Sequence, residues 1–459
     1  MGDAVAYEMN KTVVIDVVGL SSSLIGEYTP FLKKYRDGKS MCTITPMLPA
    51  LTTSVQSTYV TGRLPYEHGI VGNGWYDRTE CEVKFWKQSN KLVSAEKIWE
   101  RAKKQDPDFT CSNMFWWYNM YSSADYAVTP RPNYLADGRK IPDCYSSPAE
   151  LRDAIQRELG PFPLFQFWGP GANIKSTQWI ADASIITDGK YDPTLTLIYL
   201  PHLDYCLQKY GPDFTRIKNE LGEIDGVIEQ LITYYSRKNT RIILLSEYGI
   251  TQVDNPISLN RVLREQGLLK VRIERGLELL DAGASQAFAV ADHQIAHIYI
   301  NDPSQKSKVR SILEKIPGVE LVLDRVEQQR FGIHHERAGD LALMADERSW
   351  FTYYFWLDDA KAPDYARAVD IHKKPGYDPV EMFMTSRLRA AYKLLQKKIG
   401  MRYVMDVIPL NPALVKGSHG RIGTTKEFHP VLIADGLVKE KELKSTDVYD
   451  VIWNSLTVY

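Results

Sequence analysis

The sequence predicts an α/β fold: a mostly parallel central sheet with helices on both faces, plus a small α/β insertion. Short apolar runs alternate with stretches of helical periodicity, the pattern left by βαβ units. The strand-like runs KTVVIDVVGL, LTLIYLP and RIILLS are apolar almost throughout, as strands covered on both faces are. From about Phe288 to Leu343 the rhythm changes. There AHIYIN, VELVLDR and DLALMAD read as closely spaced strands around one helix, SKVRSILEKI. The expected division is a core of residues 1–287 and 344–459 with an inserted subdomain of residues 288–343.

Taken in order, KTVVIDVVGL is the first strand and carries Asp16 in its apolar run. A helix pattern follows near Thr29 to Tyr35. LVSAEKIWERAKKQ is amphipathic, with Ile98, Trp99 and Ala102 at helical spacing and Ser94 as its expected N-cap. LTLIYLP is the next buried strand, Ile217 to Tyr235 a long helix, and RIILLS a further strand that stops in the turn Ser246-Glu247-Tyr248-Gly249. After Trp350 the chain is irregular and leads to the loop VKGSHGRIG.

The 459 residues have 44% hydrophobic and 25% charged content, as in a globular protein. A formal net charge of -1 offers no electrostatic footprint for a nucleic-acid polymer or a membrane surface. No apolar run is long enough to span a bilayer. The first residues, MGDAVAYEMNKTVVID, lack the pattern of a secretory signal, and Ala6 argues against myristoylation. Five scattered cysteines without a CxxC pair read as reduced thiols. A cytoplasmic protein is the expectation.

Polar groups collect where chemistry is expected in such folds, beyond the carboxyl ends of strands. They are Asp16, the stretch Pro49 to Arg78, YLPHLDYCLQKYGPD with His202 and Asp204, the SEYG turn, and the late GSHG with His419. Singly, each has a plain structural role open to it, as a cap, a turn residue or a buried histidine. Together on one sheet edge they read as a site.

The segment YVTGRLPYEHGIVGNGWYDR resembles the alkaline phosphatase superfamily, and within it the type I phosphodiesterase/nucleotide pyrophosphatase branch. Val60-Thr61-Gly62, Pro65-Tyr66-Glu67-His68-Gly69-Ile70 and Asn73 carry the resemblance. It implies Thr52 as the nucleophile, Asn73 as a holder of the phosphoryl oxygens, and His419 of GSHG as a metal ligand. It also implies two divalent metal ions (zinc, manganese or magnesium). Three motifs depart from the branch. Its Asp-x-x-x-His is Asp204 to Gln208 here, its Ser-Asp-His-Gly is Ser246-Glu247-Tyr248-Gly249, and its first-strand Asp-Gly is replaced, with Asp16 two residues earlier. Imidazole suits zinc, whereas oxygen donors suit harder ions. The remaining donors group as Asp16, Thr52, Glu247 and Tyr248 around one ion and Asp204, Gln208 and His419 around the other. His202 is a candidate replacement ligand.

The expected activity is metal-dependent cleavage of a phosphodiester, pyrophosphate or related phosphate ester through a phospho-threonine intermediate, on a small nucleotide-like substrate. The alternative is a silent binding protein that has lost part of its metal site. The loop DIHKKPGYDP supplies His372, Lys373 and Tyr377 as candidate substrate contacts, and its lysine pair with Lys374 could meet a phosphate. The aromatic stretch Cys111 to Tyr126 offers stacking faces or core packing. His293 and His297 have the spacing of a helical metal pair, but the strand pattern of HIYI argues against one.

Overall fold

The computed structural model describes residues 9–401, 403–438 and 440–457. The leading residues 1–8, part of the stretch without a signal pattern, lie outside the described residues. Nine strands form the central sheet: β1 (Thr12–Val17), β2 (Ser40–Thr45), β3 (Cys111–Met114), β4 (Tyr126–Pro130), β5 (Cys144–Ser147), β6 (Leu195–Leu200), β7 (Arg241–Leu245), β12 (Val431–Ala434) and β13 (Glu442–Lys444). Their order is β13-β2-β12-β7-β1-β6-β3-β4-β5. The run from β7 through β1, β6 and β3 to β4 is parallel, and β12 and β5 pair antiparallel with their inner neighbours. Mostly parallel is therefore the observed sheet. All six residues of β1 and of β6 are buried, as strands covered on both faces require.

Helices flank the sheet: α1 (Pro30–Asp37), α2 (Thr52–Thr61), α3 (Ile98–Gln105), α4 (Ile174–Tyr191), α5 (His202–Tyr210), α6 (Phe214–Arg237) and α9 (Asp447–Thr457). Ile98, Trp99 and Ala102 are the buried face of α3, as the spacing predicts. Its cap is not Ser94. The helix begins later, and the Glu100 carboxylate accepts the Lys97 backbone N–H at 2.9 Å.

Between α6 and β12 the chain builds a second sheet from β8 (Ala287–Asp292), β9 (Ile295–Ile300), β10 (Val319–Asp324) and β11 (Leu341–Ala345), in the order β8-β9-β11-β10 with every neighbour antiparallel. Helix α7 (Lys306–Leu313) packs on it through Val309 and Leu313. The β8–β9 hairpin turn, at His293, packs against Tyr377 and His419. Farther on, α8 (Arg387–Lys398) forms part of the outer rim of a cleft. No helix among the described residues is long and apolar enough to cross a membrane. The five cysteines are free.

Candidate active site

Strands β1, β6 and β7 run side by side, with Asp16 in register with Tyr199 and Leu245. Their carboxyl ends therefore open at one place. Ser246, just past β7, fixes the turn: its hydroxyl donates to Leu20 O at 2.6 Å and accepts the Val431 N–H at 2.9 Å, while its carbonyl takes the Tyr59 hydroxyl at 2.9 Å. Gly249 lets the next segment pass. A Cβ there would lie 1.8 Å from the backbone oxygen of Phe428, and one at Gly417 would lie 2.0 Å from that of Leu207. Gly249→Ala is expected to cost about 1–3 kcal/mol, because backbone must shift to make room. Thermal or urea unfolding of the variant checks this; an unchanged midpoint would show the turn to be slack. The Ser and Gly of the turn thus hold backbone, which leaves Glu247 and Tyr248 to face inward.

Thr52 opens α2. The N-cap is Leu51, so Thr52 is not a capping residue, and Thr53 instead donates its hydroxyl to Gly72 O at 2.9 Å. The Thr52 hydroxyl lies 2.9 Å from the Tyr248 phenol oxygen, and the Tyr248 O–H donates to Asp204 Oδ1 at 3.4 Å. The phenol has one hydrogen to give, so when it is directed at Asp204 the Thr52 hydroxyl donates to Tyr248. Asp204 Oδ2 accepts Gln208 Nε2 at 2.8 Å, and Gln208 Oε1 accepts the Tyr377 hydroxyl at 2.9 Å. The His419 ring stacks on Tyr248 at 3.6 Å and 6°. Its Nδ1 lies 2.8 Å from Ala50 O, so Nδ1 carries the hydrogen and Nε2 the lone pair, 3.9 Å from Asp204 Oδ1.

A second group sits behind this one. Gln56, one turn along α2 from Thr52, donates its amide to Glu247 Oε1 at 2.5 Å and Asp16 Oδ2 at 3.4 Å, and accepts the Trp117 N–H at 2.6 Å. Burial pushes the Asp16 carboxyl up to about 7. Burial, and then the Asp16 charge, push Glu247 well above the carboxylate range. Asp204 is pushed up to about 6 by burial. Tyr248 is held protonated by burial and the nearby carboxylates, first Asp204.

The expected grouping of donors is thus divided differently. The Tyr248 phenol oxygen joins Thr52 with Asp204. Asp16 and Glu247 are left with Gln56. His202 turns away: it starts α5 with its Nε2 3.3 Å from Glu223 on α6, and burial keeps the ring neutral, near pKa 4. It does not replace a ligand.

Two further residues belong here: Asp292, which the sequence reading passed over, and His293, which it weighed only as half of a helical metal pair. His293, at φ +60° in the β8–β9 turn, places Nδ1 2.8 Å from Asp292 Oδ1 and leaves Nε2 buried without a partner. Its ring stacks on Tyr377 at 3.6 Å and lies 3.9 Å from His419, tilted by 41°. Asp292 in turn accepts the Asn73 backbone N–H at 2.8 Å and its side-chain N–H at 3.1 Å. The Asn73 side-chain oxygen Oδ1 accepts the Thr53 N–H at 3.3 Å, so Asn73 stands beside the start of α2 with one amide hydrogen left over. His297 faces Val71 O and the Gly339 N–H and belongs to the packing.

The cleft in front of Thr52 measures about 1650 Å³, and Thr52, Tyr248, Asp204, His293 and Tyr377 are on its wall. Trp86, Trp117 and Trp168 add aromatic faces, with Trp86 5.0 Å from Trp117 and 6.1 Å from Tyr377. Of the stretch Cys111 to Tyr126, Trp117 therefore faces the cleft, whereas Phe115 packs on Phe162 and Trp179 in the core. His372 and Lys373 also line the cleft, the latter 3.4 Å from Asp370. Lys374 does not: it is buried between Asp378 and Glu381.

The donors do not fit the expected pair of divalent ions. Among the described residues no three His, Cys, Asp or Glu side chains are disposed to hold a metal ion. Both oxygens of Asp204 already take hydrogens, from Gln208 and Tyr248. The two imidazoles with a free Nε2 are tilted against each other at 3.9 Å between centroids. Rings bound to one zinc at about 2.0–2.1 Å radiate from it instead. Asp16 Oδ1 and Glu247 Oε2 have no hydrogen-bond partner, and a proton held between these neighbouring carboxyls is the simplest one.

Comparison with known proteins supplies the context. The sequence profile of type I phosphodiesterase / nucleotide pyrophosphatase matches residues 12–378. Ectonucleotide pyrophosphatase/phosphodiesterase 2 of Saccharomyces cerevisiae is 22% identical over 378 residues, 76% of this chain and 66% of that protein. The chain spans 34% to 66% of the length of curated relatives it matches. Among solved structures, phosphonoacetate hydrolase from Sinorhizobium meliloti 1021 in complex with phosphonoformate superposes with a TM-score of 0.61 at 15% identity, covering 98% of this chain and 96% of that one. An inactive form of murine ectonucleotide pyrophosphatase/phosphodiesterase 5 in complex with AMP superposes with a TM-score of 0.59, also at 15% identity and the same coverage.

Proposed function

Because the chain belongs to the type I phosphodiesterase/nucleotide pyrophosphatase family, we propose that it is a hydrolase of a small phosphodiester, pyrophosphate or related phosphate ester, with Thr52 as nucleophile. The observation that carries this reading is the placement of the Thr52 hydroxyl. It stands at the first turn of a ten-residue helix, on the wall of a cleft large enough for a nucleotide. The unpaired N–H groups of a helix start and the positive end of its dipole favour an anionic phosphoryl group there. The spare Asn73 amide hydrogen adds a donor beside it. Attack by Thr52 Oγ on phosphorus expels the leaving oxygen and gives phospho-Thr52, which water then hydrolyses. Trp86 and Trp117 supply faces for a flat group such as a base, and Lys373 and His372 a polar wall for further phosphate charge. The murine relative's complex with AMP and the bacterial relative's with phosphonoformate are in line with small phosphate or phosphonate ligands.

The test is hydrolysis of bis-p-nitrophenyl phosphate and p-nitrophenyl phosphate, with wild type and Thr52→Ala compared at matched folding. Turnover is expected to fall by roughly three orders of magnitude or more in the variant, the scale of losing a nucleophile. Turnover retained in Thr52→Ala removes this role from Thr52. One observation favours a second reading, a binding protein without turnover: amides and a phenol cover the carboxylates at the strand ends. That reading expects AMP to bind and neither ester to be cleaved.

A further inference from the structure

We propose that Tyr248 takes the place of a cation in this site. In this proposal Thr52 gives its proton through the Tyr248 phenol to Asp204, and the chain works without divalent metal ions. The proposal rests on the Thr52 reading above and deepens it.

The three groups form one line, Thr52 to Tyr248 at 2.9 Å and Tyr248 to Asp204 at 3.4 Å, along which the threonine hydroxyl can donate to the phenol and the phenol to the carboxylate. The line is fixed at both ends. Thr52 is held by the start of α2, and Asp204 by the Gln208 amide, which Tyr377 orients in turn. The phenol is fixed by its stack on His419. A cation between Thr52 and Asp204 would have to displace the phenol oxygen. At the other carboxyl group, the amide of Gln56 lies on both Asp16 and Glu247, as a neutral donor where a cation would supply charge. Three substitutions relative to the family pattern, at Gln208, Glu247 and Tyr248, are thereby parts of one arrangement.

The chemistry balances without a further reactant. As the bond from Thr52 Oγ to phosphorus forms, the Oγ proton passes to the Tyr248 oxygen and the Tyr248 proton to Asp204. The bond from phosphorus to the leaving oxygen breaks with its electron pair, and the departing anion takes a proton from solvent. In the second step water attacks phosphorus and loses one proton to solvent. The bond to Thr52 Oγ breaks, and Oγ recovers its proton from Asp204 by the same route. Proton transfer in the transition state by a positioned group contributes about 10²–10⁴-fold, which sets the expected size of the effect.

The test uses the full chain dialysed against a chelator. Calorimetric titration with Zn²⁺, Mn²⁺ and Mg²⁺ is expected to show no stoichiometric binding, and EDTA is expected to leave bis-p-nitrophenyl phosphate turnover unchanged. Tyr248→Phe keeps the ring on His419 and removes the oxygen. Its kcat is expected to fall about 100-fold or more with KM changed by less than about threefold. Gln208→His combined with Tyr248→His restores two imidazoles and is expected to gain zinc binding that the parent lacks.

Stoichiometric binding of any of the three ions by the parent overturns the proposal. So does loss of turnover in EDTA, or a Tyr248→Phe variant with full kcat. A double variant that gains no zinc overturns the assignment of the two side chains as what closes the site. Absence of turnover under every condition would overturn the hydrolase reading and the relay with it, while the titration would still decide whether the site is closed to metals.

Discussion

Lys374→Met is expected to lower the unfolding free energy by about 3–5 kcal/mol at neutral pH, the cost of leaving buried charge without its partner. Lys374 is 1% exposed, and its Nζ lies 2.7 Å from Asp378 Oδ2 and 2.7 Å from Glu381 Oε1. Both carboxylates have other duties. Glu381 accepts Trp168 Nε1 at 2.5 Å and the Asp370 N–H at 2.9 Å, and Asp378 accepts the Val380 N–H at 3.2 Å. Methionine fills the space but leaves two buried carboxylates facing each other. One of them must take up a proton, and the loop that carries His372, Lys373 and Tyr377 to the cleft loses its anchor. Chemical denaturation at pH 7.5 measures the loss. Adding Asp378→Asn and Glu381→Gln to Lys374→Met should recover much of it, since the uncompensated charge is then gone. A loss below about 1 kcal/mol in the single variant would mean that the pair is solvated, as an exposed ion pair is.

The same loop shows what a sequence allows to be read. Lys373 and Lys374 are adjacent and chemically alike, yet one reaches the cleft and the other is buried. Nothing local separates them, because the difference lies in Asp378 and Glu381 folding back over the second. Where packing dominates, local pattern was enough. The apolar runs of β1, β6 and β7 marked buried parallel strands, and those strands bring Asp16, Asp204, Glu247 and Tyr248 to one edge. Thr52, the nucleophile that the resemblance implies, stands at the start of a buried helix. Partners arriving from distant segments were not legible. Gln56 was a polar residue inside a helix, and its only hint was that all ten residues of α2 are small, β-branched or apolar apart from it and Tyr59. Asp292 and His293 sit in a hairpin turn of the inserted sheet, where the strand pattern of the following residues argued against a site. The pattern was right about the strand and silent about the turn, where the left-handed backbone of His293 aims its ring at Tyr377 and His419. His202 lay two residues from Asp204, which suggested a shared face. On a helix, though, residues two apart diverge, and His202 points at α6.

Glu247→Gln is expected to flatten the dependence of stability on pH between about 4 and 7, the window set by Asp16. The Asp16 carboxyl is raised from an ordinary 3.8 to about 7, with burial the leading cause and the hydrogen bonds from Glu247 and Gln56 opposing it. A carboxyl whose folded value is raised favours the folded state while protonated. Its contribution is complete below the unfolded value and is lost as pH rises through about 7. In wild type, therefore, this pair should stabilise the fold at pH 5 more than at pH 8. Glutamine at position 247 keeps the size of the side chain and offers an amide hydrogen to Asp16, and removes the second ionisable group. Burial keeps Asp16 raised, while the proton that Glu247 itself holds in the folded state is lost from the balance. The difference in stability between pH 5 and pH 8 should shrink by about 1–3 kcal/mol, on the scale of 1.36 kcal/mol per pKa unit. Asp204 and Asp292 are raised to about 6 and give slopes of the same sign, so the comparison is between wild type and variant and not the slope of either alone. Parallel profiles of Tm against pH would show that Glu247 binds no more proton in the folded than in the unfolded state. A wild-type profile that falls more steeply than the variant's toward high pH would mean that, near neutrality, the pair behind Gln56 is held together by a proton. Two carboxyls can then remain at the strand ends with only an amide between them and the nucleophile's helix.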